Sequence, residues 1–326
     1  MHLYSVSDRR ASVALMGKLK GFLKKHGERL VACGLLAALI GLAMAIPAEG
    51  APVQWPPLIS PPSQEHHVGK VIFVELVTPN LASTEKFYTG LLGWSFHDVQ
   101  VNGLEYASAS INDHLVAELV QKPLPPSAQR RPAWLGFIAV RDVDDADRTA
   151  LTDGAKVLFG PKDFPGRGRE AVLSDPQGAV FAVIASSSGD PPDVMPLPGE
   201  WIWSALITSD PDADAAFYQK LFNYDVLDVT DDATSKHFML ASDNYARASA
   251  NTLPSDRSSE HPHWLNFVRV NDTAAMSARV VTLGGRVLVE PRIDRHGGKI
   301  AVVADPNGAI FGLFEWPEGN TVEVTP

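Results

Sequence analysis

Few side chains in this sequence of 326 residues have the type and spacing that chemistry requires. Glu75 lies inside the apolar run "VIFVELVT" (Val71 to Thr78) and Glu118 inside "HLVAELVQ" (His114 to Gln121), where a carboxylate can serve as an acid, a base or a hydrogen-bond partner for a ligand. Glu75 is two residues from Phe73 and so on the same strand face, which makes it a pocket acid or a rim residue. A solvent-exposed position or a pocket hydrogen bond suits Glu118 better than a metal. His261 and His263 in "HPHW" resemble a metal pair, but His263 is one residue from Trp264, and a one-residue step flips a strand side chain, so His263 points away from a pocket that Trp264 faces. Arg167 and Arg169, and Arg295 and Lys299 in the second repeat, decorate the same Gly-containing hairpin and read as solvated turns before anion-binding groups. His237, Arg247 and Asn266 are polar candidates for a pocket in the second half of the chain. No G-x-S-x-G elbow, P-loop or G-x-G-x-x-G fingerprint is present, so acyl transfer and nucleotide chemistry lack visible apparatus.

The elements that would position these groups occur twice. "SDPQGAVFAVIA" (Ser174 to Ala185) and "ADPNGAIFGLFE" (Ala304 to Glu315) place Asp-Pro, Gly, Ala and Phe at the same positions 130 residues apart. "VELVTPNLASTEKFY" (Val74 to Tyr88) lies over "SALITSDPDADAAFY" (Ser204 to Tyr218), and "PAWLGFIAV" (Pro132 to Val140) over "PHWLNFVRV" (Pro262 to Val270), at the same interval. Two homologous domains of about 120 residues follow, a size at which each can bury its own core. Within the first, Val71 to Thr78 is a strand and Asn80 caps a helix that ends before Gly93. Strands near Trp94 to Val101, Glu105 to Ile111 and Leu115 to Val120 complete one β-α-β-β-β unit. The pattern then restarts with strand Trp134 to Val140 and helix Val143 to Thr152, so the fold class is α+β with four βαβββ units.

Paired units of this kind, a helix ending in Phe-Tyr, "Gly-Trp" after it and a closing D-P-x-G-A-x-F together resemble the vicinal oxygen chelate superfamily, which includes glyoxalases, extradiol dioxygenases and bleomycin-resistance proteins. The resemblance covers residues 68–187 and 199–318. It implies two tandem half-open barrels, each around one pocket, with metal ligands at defined strand positions in the metal-dependent members. Counting from the shared motifs puts those positions at Phe73 and Trp203, Trp134 and Trp264, and Ala182 and Gly312. None of the six side chains can bind a cation. The resemblance therefore implies a metal-free, cofactor-free protein with Phe73, Trp134, Trp203 and Trp264 lining cavities for a small apolar or aromatic molecule, and Glu75, Glu118, His237, Arg247 and Asn266 supplying polar contacts. The alternative is an enzyme of the same superfamily, a lyase or dioxygenase with displaced ligands or a metal-free isomerase.

The N-terminal region is of another kind. Residues 1–29 are basic, and Leu30 to Ile46 is an uncharged, almost wholly apolar run. Its length suits either a cleaved export signal or a membrane anchor, and the preceding Lys and Arg leave both repeats outside the cytoplasm, in a periplasm or held at the inner membrane. Residues 47–67 read as a Pro-rich tether, 188–198 as a linker and 319–326 as a tail. Cys33 is the only cysteine, so no intramolecular disulfide forms. Residues 1–29 hold seven of the 28 basic and two of the 38 acidic residues, so the rest carries a formal charge of about −15 and is a poor partner for nucleic acid. Pairing of two copies stays open.

Overall fold

The computed structural model describes residues 54–317 apart from 102–103, 124–131, 232–234, 256–259 and 295–296. The basic lead, the apolar run 30–46 and the tail lie outside the described residues. Among the described residues no helix is long and apolar enough to cross a membrane.

Each repeat forms one mixed sheet of eight strands. The first repeat contains β1 (Val71–Thr78), α1 (Leu81–Leu92), β2 (Ser95–Val101), β3 (Leu104–Ile111) and β4 (His114–Gln121), then β5 (Trp134–Ala139), α2 (Val143–Thr152), β6 (Lys156–Phe164), β7 (Gly168–Ser174) and β8 (Val180–Ser186). The second contains β9 (Trp201–Thr208), α3 (Pro211–Phe222), β10 (Asp225–Asp228), β11 (His237–Ser242) and β12 (Tyr245–Thr252), then β13 (His263–Arg269), α4 (Thr273–Thr282), β14 (Arg286–Ile293), β15 (Lys299–Ala304) and β16 (Ile310–Glu315). Both sheets have the same order, β2-β3-β4-β1-β5-β8-β7-β6 and β10-β11-β12-β9-β13-β16-β15-β14. The four βαβββ units expected from the sequence are therefore present.

Local chemistry explains the repeated words. All four helices start at an Asn or Asp whose side chain accepts a backbone N–H of the first turn: Asn80 from Ser83, Asp142 from Asp145, Asp210 from Ala213 and Asp272 from Ala275. In the Asp-Pro turns, one carboxylate oxygen of Asp175 accepts the amides of Gln177, Gly178 and Ala179 at 3.0, 2.7 and 2.8 Å. Asp305 does the same for Asn307, Gly308 and Ala309. The acidic residue is thus required by the turn's own backbone, independently of any ligand.

The helices lie between the two sheets. One apolar cluster joins α1, β1 and β4 of the first unit to Val268, Val280, Val303 and Phe311 of the fourth; a second joins Ile138, Leu173, Phe181 and Val183 of the second unit to Leu206, Tyr218, Phe222 and Leu240 of the third. Two of the four clusters thus belong to both repeats, and each repeat buries one further cluster of its own. Polar links follow the same pairing, with the Tyr218 hydroxyl donating to Asp175 at 2.9 Å and Lys220 reaching Asp153 at 2.8 Å. At the centre, Asn266 packs against the backbone of Gly136, where an added Cβ would stand 3.4 Å from the Asn266 Oδ1. Those two residues occupy the same position in the two repeats.

Candidate functional site

Strand alternation gives each sheet a convex face toward the helices and a concave face away from them. On β1, Val74 and Leu76 pack toward the helices, and Phe73, Glu75 and Val77 face the concave side; on β5, Leu135 and Phe137 share that side. On the outer side of the helices a shallow groove of about 540 Å³ runs along α1 to Leu283, remote from both concave faces.

The sheet faces correct three expected pocket residues. Trp134 and Trp264 point to the helices, where each indole N–H donates at 2.9 Å to a buried tyrosine hydroxyl, Tyr88 and Tyr218 respectively. Asn266 also lies on the helical side and accepts the Ser204 hydroxyl at 2.7 Å. Phe73 and Trp203 do face the concave side, paired with Phe137 and Phe267. The concave residues beside the corrected positions are Leu135 and Leu265, which offer no donor. At Gly312 a Cβ would stand 1.9 Å from the Phe267 ring, so a carboxylate side chain there requires Phe267 to move. The positions that hold a metal in metal-dependent members thus do not fit one in either repeat, and among the described residues no group of three His, Cys, Asp or Glu is placed to hold an ion.

The first concave face instead carries a buried charged cluster. Glu75 and Glu118 are neighbours on the parallel strands β1 and β4, and Glu170 projects from β7. The Arg167 guanidinium is bonded to Glu118, and its Nε lies 4.0 Å from a Glu170 oxygen. All four residues are at most 4% exposed. Burial, and then the charge of Glu118, pushes Glu75 up to about 8; burial also lifts Glu170 to about 7. Burial pulls Arg167 down, but Glu118 and Glu170 outweigh it and hold the guanidinium above its usual range. Among the described residues, one oxygen each of Glu75, Glu118 and Glu170 has no hydrogen-bond partner.

What closes this face was not anticipated. Residues 54–67, expected to be a tether, are docked as a strap: the Trp55 amide donates to Pro165 O and the Ser63 amide to Ser188 O, both at 2.8 Å. Trp55 is buried in the mouth of the barrel, with its ring centroid 5.2 Å from Tyr106 and 5.7 Å from Phe164. The linker is tied down as well. Asp193 holds Lys70 at 2.9 Å and Arg247 at 2.5 Å, so Arg247, a sequence candidate for the second pocket, anchors the linker between repeats.

The second concave face differs at every charged position. Ala205, Ser249, Gly297 and Ile300 stand where the first has Glu75, Glu118, Arg167 and Glu170. Strand register identifies Ser249 as the match for Glu118, since Glu75 pairs with Glu118 and Ala205 with Ser249. Constant spacing points to Ala248 instead, which lies on the helical side. Trp203 is half-buried and donates its indole N–H to Ser249 at 3.2 Å, and Asn251 donates to the same hydroxyl at 3.0 Å. Leu265 and Phe267 form the floor, and His263, half-buried, shares their face because Trp264 takes the other. His237 is buried opposite Asn251 on β11. The arrangement offers aromatic surface beside neutral hydrogen-bonding groups.

Comparison with known proteins agrees with this architecture. The family described as "Glyoxalase/Bleomycin resistance protein/Dioxygenase superfamily" matches residues 66–183 and again 202–323. The chain is 30% identical over 265 residues to the "Putative glyoxylase CFP32" of Mycobacterium tuberculosis (strain CDC 1551 / Oshkosh), a match covering 78% of this chain and 98% of that one. It is 30% identical over 267 residues to the "Anthracycline biosynthesis protein DauV" of Streptomyces sp. (strain C5), covering 77% and 94%. Among solved structures, the 2,3-dioxygenase LapB from Pseudomonas sp. KL28 aligns with a TM-score of 0.57 at 13% identity, over 80% of this chain and 96% of that one. The Mn(II)-bound glyoxalase from Novosphingobium aromaticivorans aligns at 0.54 and 17%, over 76% and 82%. At those identities the likeness carries the fold alone.

Proposed function

This chain belongs to the Glyoxalase/Bleomycin resistance protein/Dioxygenase superfamily as a tandem of two family domains, and from that premise we propose that it is a metal-independent binding protein whose second concave face takes a small apolar or aromatic molecule. The observation that carries this reading is the half-buried Trp203 beside Ser249, Asn251 and His263 above an apolar floor. Pockets for small molecules combine mostly apolar walls with a few polar groups that fix orientation. A relative named for anthracycline biosynthesis fits an aromatic ligand.

Two measurements test the reading. Titration of the purified chain with a library of neutral planar aromatics should find ligands whose affinity falls at least about tenfold in Trp203→Ala. Elemental analysis of protein made without a metal-affinity tag should show well under one equivalent of Zn, Fe, Mn or Ni. A stoichiometric metal lost on Glu118→Ala or His263→Ala would replace the binding reading with a metal-dependent lyase or dioxygenase.

The binding face would work outside the cytoplasm. Support comes from the basic lead followed by Leu30 to Ile46. Alkaline phosphatase fused after residue 60 should be active in a bacterial host and inactive when residues 30–46 are deleted. Activity that survives the deletion would remove the export role from this segment.

A further inference from the structure

The interior of the first repeat has a chemical composition of its own. Three carboxyl groups share one guanidinium, and among the described residues the buried polar atoms of this interior without a partner are one oxygen each of Glu75, Glu118 and Glu170 against the Nε of Arg167 and the indole N–H of Trp55. The surplus of acceptors calls for a donor, and burial makes a charged donor the stronger partner. The walls are aromatic: Phe73 and Phe137, with ring centroids 5.3 Å apart, Tyr106 and Phe164. They already hold one cation, since the Arg167 guanidinium carbon lies 5.0 Å from the Trp55 ring centroid and 4.8 Å from that of Phe73.

Trp55 fits this space in shape and fails it in hydrogen bonding. Among the described residues its buried indole N–H has no acceptor, in a barrel with three carboxyl oxygens to spare. The ring is brought in by the first part of the strap, residues 54–59, which the Trp55 amide on Pro165 O and the Ile59 amide on Ser188 Oγ at 3.1 Å hold to the barrel, while Ser63, Glu65 and His67 tie the rest to Ser188 and Asp190. We propose that the interior of the first repeat is a second binding site, for a small aromatic molecule bearing a protonated amine, and that Trp55 is the ring such a molecule displaces. The ammonium group would meet Glu75 and Glu118, and the aromatic ring would take the place of the indole between Tyr106 and Phe164. Glu75 is surrounded by Glu118 on β4 and by Arg167 and Glu170 at β7, and Tyr106 on β3 neighbours Glu118 and Arg167 in turn. An added positive charge among these groups favours its carboxylate, so binding releases a proton to solvent near neutral pH. The second repeat, with Ala205, Ser249, Gly297 and Ile300 at the corresponding places, lacks every charged member of the site.

The test uses tryptamine and its uncharged analogue tryptophol, which share the indole ring. In calorimetry on the full chain, Trp55→Ala should bind tryptamine at least about tenfold more tightly than the parent does and about tenfold more tightly than it binds tryptophol. Proton release should be visible as a dependence of the heat on the buffer's ionisation enthalpy. Adding Glu75→Gln should remove both the preference and the proton release. In the unaltered chain, saturating tryptamine should speed hydrogen exchange at the Trp55, Ile59 and Ser63 amides, and tryptophol should not, a readout that needs no variant to fold. Equal binding of the two probes, no gain in Trp55→Ala, or unchanged exchange in the strap would each overturn the proposal.

Discussion

Trp134→Ala should lower the free energy of unfolding by about 3 to 5 kcal/mol, with Trp264→Ala close behind. Trp134 is buried against Tyr88, Trp94 and Trp201, with ring centroids 5.4, 6.0 and 5.0 Å away, and its removal leaves a large cavity as well as an unpartnered Tyr88 hydroxyl. Trp201 belongs to the second repeat, so the damage is shared. Denaturant unfolding should therefore show one transition moving as a whole, whichever Trp is changed. A loss below about 1 kcal/mol, or a transition that splits with only one part displaced, would mean that these rings are not core.

Removing Arg167 should be as severe, for an electrostatic reason. Arg167→Met leaves buried carboxylates without a counter-ion, a change that typically costs about 3 to 5 kcal/mol, whereas Arg167→Met with Glu118→Leu deletes both partners and should cost much less. The loss should shrink in acid, because a carboxylate that takes up a proton needs no counter-ion. In the unaltered chain the sign is set by Glu75, whose folded value is raised from 4.5 to about 8. Between those values the folded chain holds a proton that the unfolded chain has released, so the stability Glu75 contributes is full below about 4.5 and is lost as pH rises through about 8. Urea midpoints measured across that range should fall more steeply for the parent than for Glu75→Gln. Parallel slopes would show that Glu75 titrates as an ordinary exposed carboxylate.

The architecture was legible because punctuation survives in both repeats. Asn80 and Asp210 as caps, Pro211 after its cap, and the Asp-Pro turns are constraints of the backbone itself, so they mark element ends whatever packs around them. Side-chain direction was not legible on β5. All six residues of "WLGFIA" are buried, because that strand is covered on both faces, and the apolar/polar alternation that would tell inside from outside is lost. A count of positions then assigned Trp134 to the wrong face. The one-residue slip that matches Glu118 with Ser249 was hidden for a related cause. Asn112-Asp113 and Asp243-Asn244 both form tight turns with positive φ, but at an interval of 131, and only pairing to the neighbouring strand reveals it. Trp55, Arg167 and Glu170 gave weaker signals still. A tryptophan in a Pro-rich stretch and an arginine between two glycines look solvent-facing until the tertiary fold folds them inward.

The meeting of Gly136 and Asn266 has a bearing on what such a tandem can do. Two identical subunits related by a twofold axis must set each central residue against its own copy: two asparagines would crowd each other, and two glycines would leave a gap. A single chain carrying both halves is free of that obligation and can place a large side chain against an absent one. The same licence extends outward from the axis to the two concave faces. One could become acidic and shuttered while the other stayed neutral and accessible, each change made once and not mirrored. Joining the halves covalently thus lets two concave faces on a common spine diverge independently.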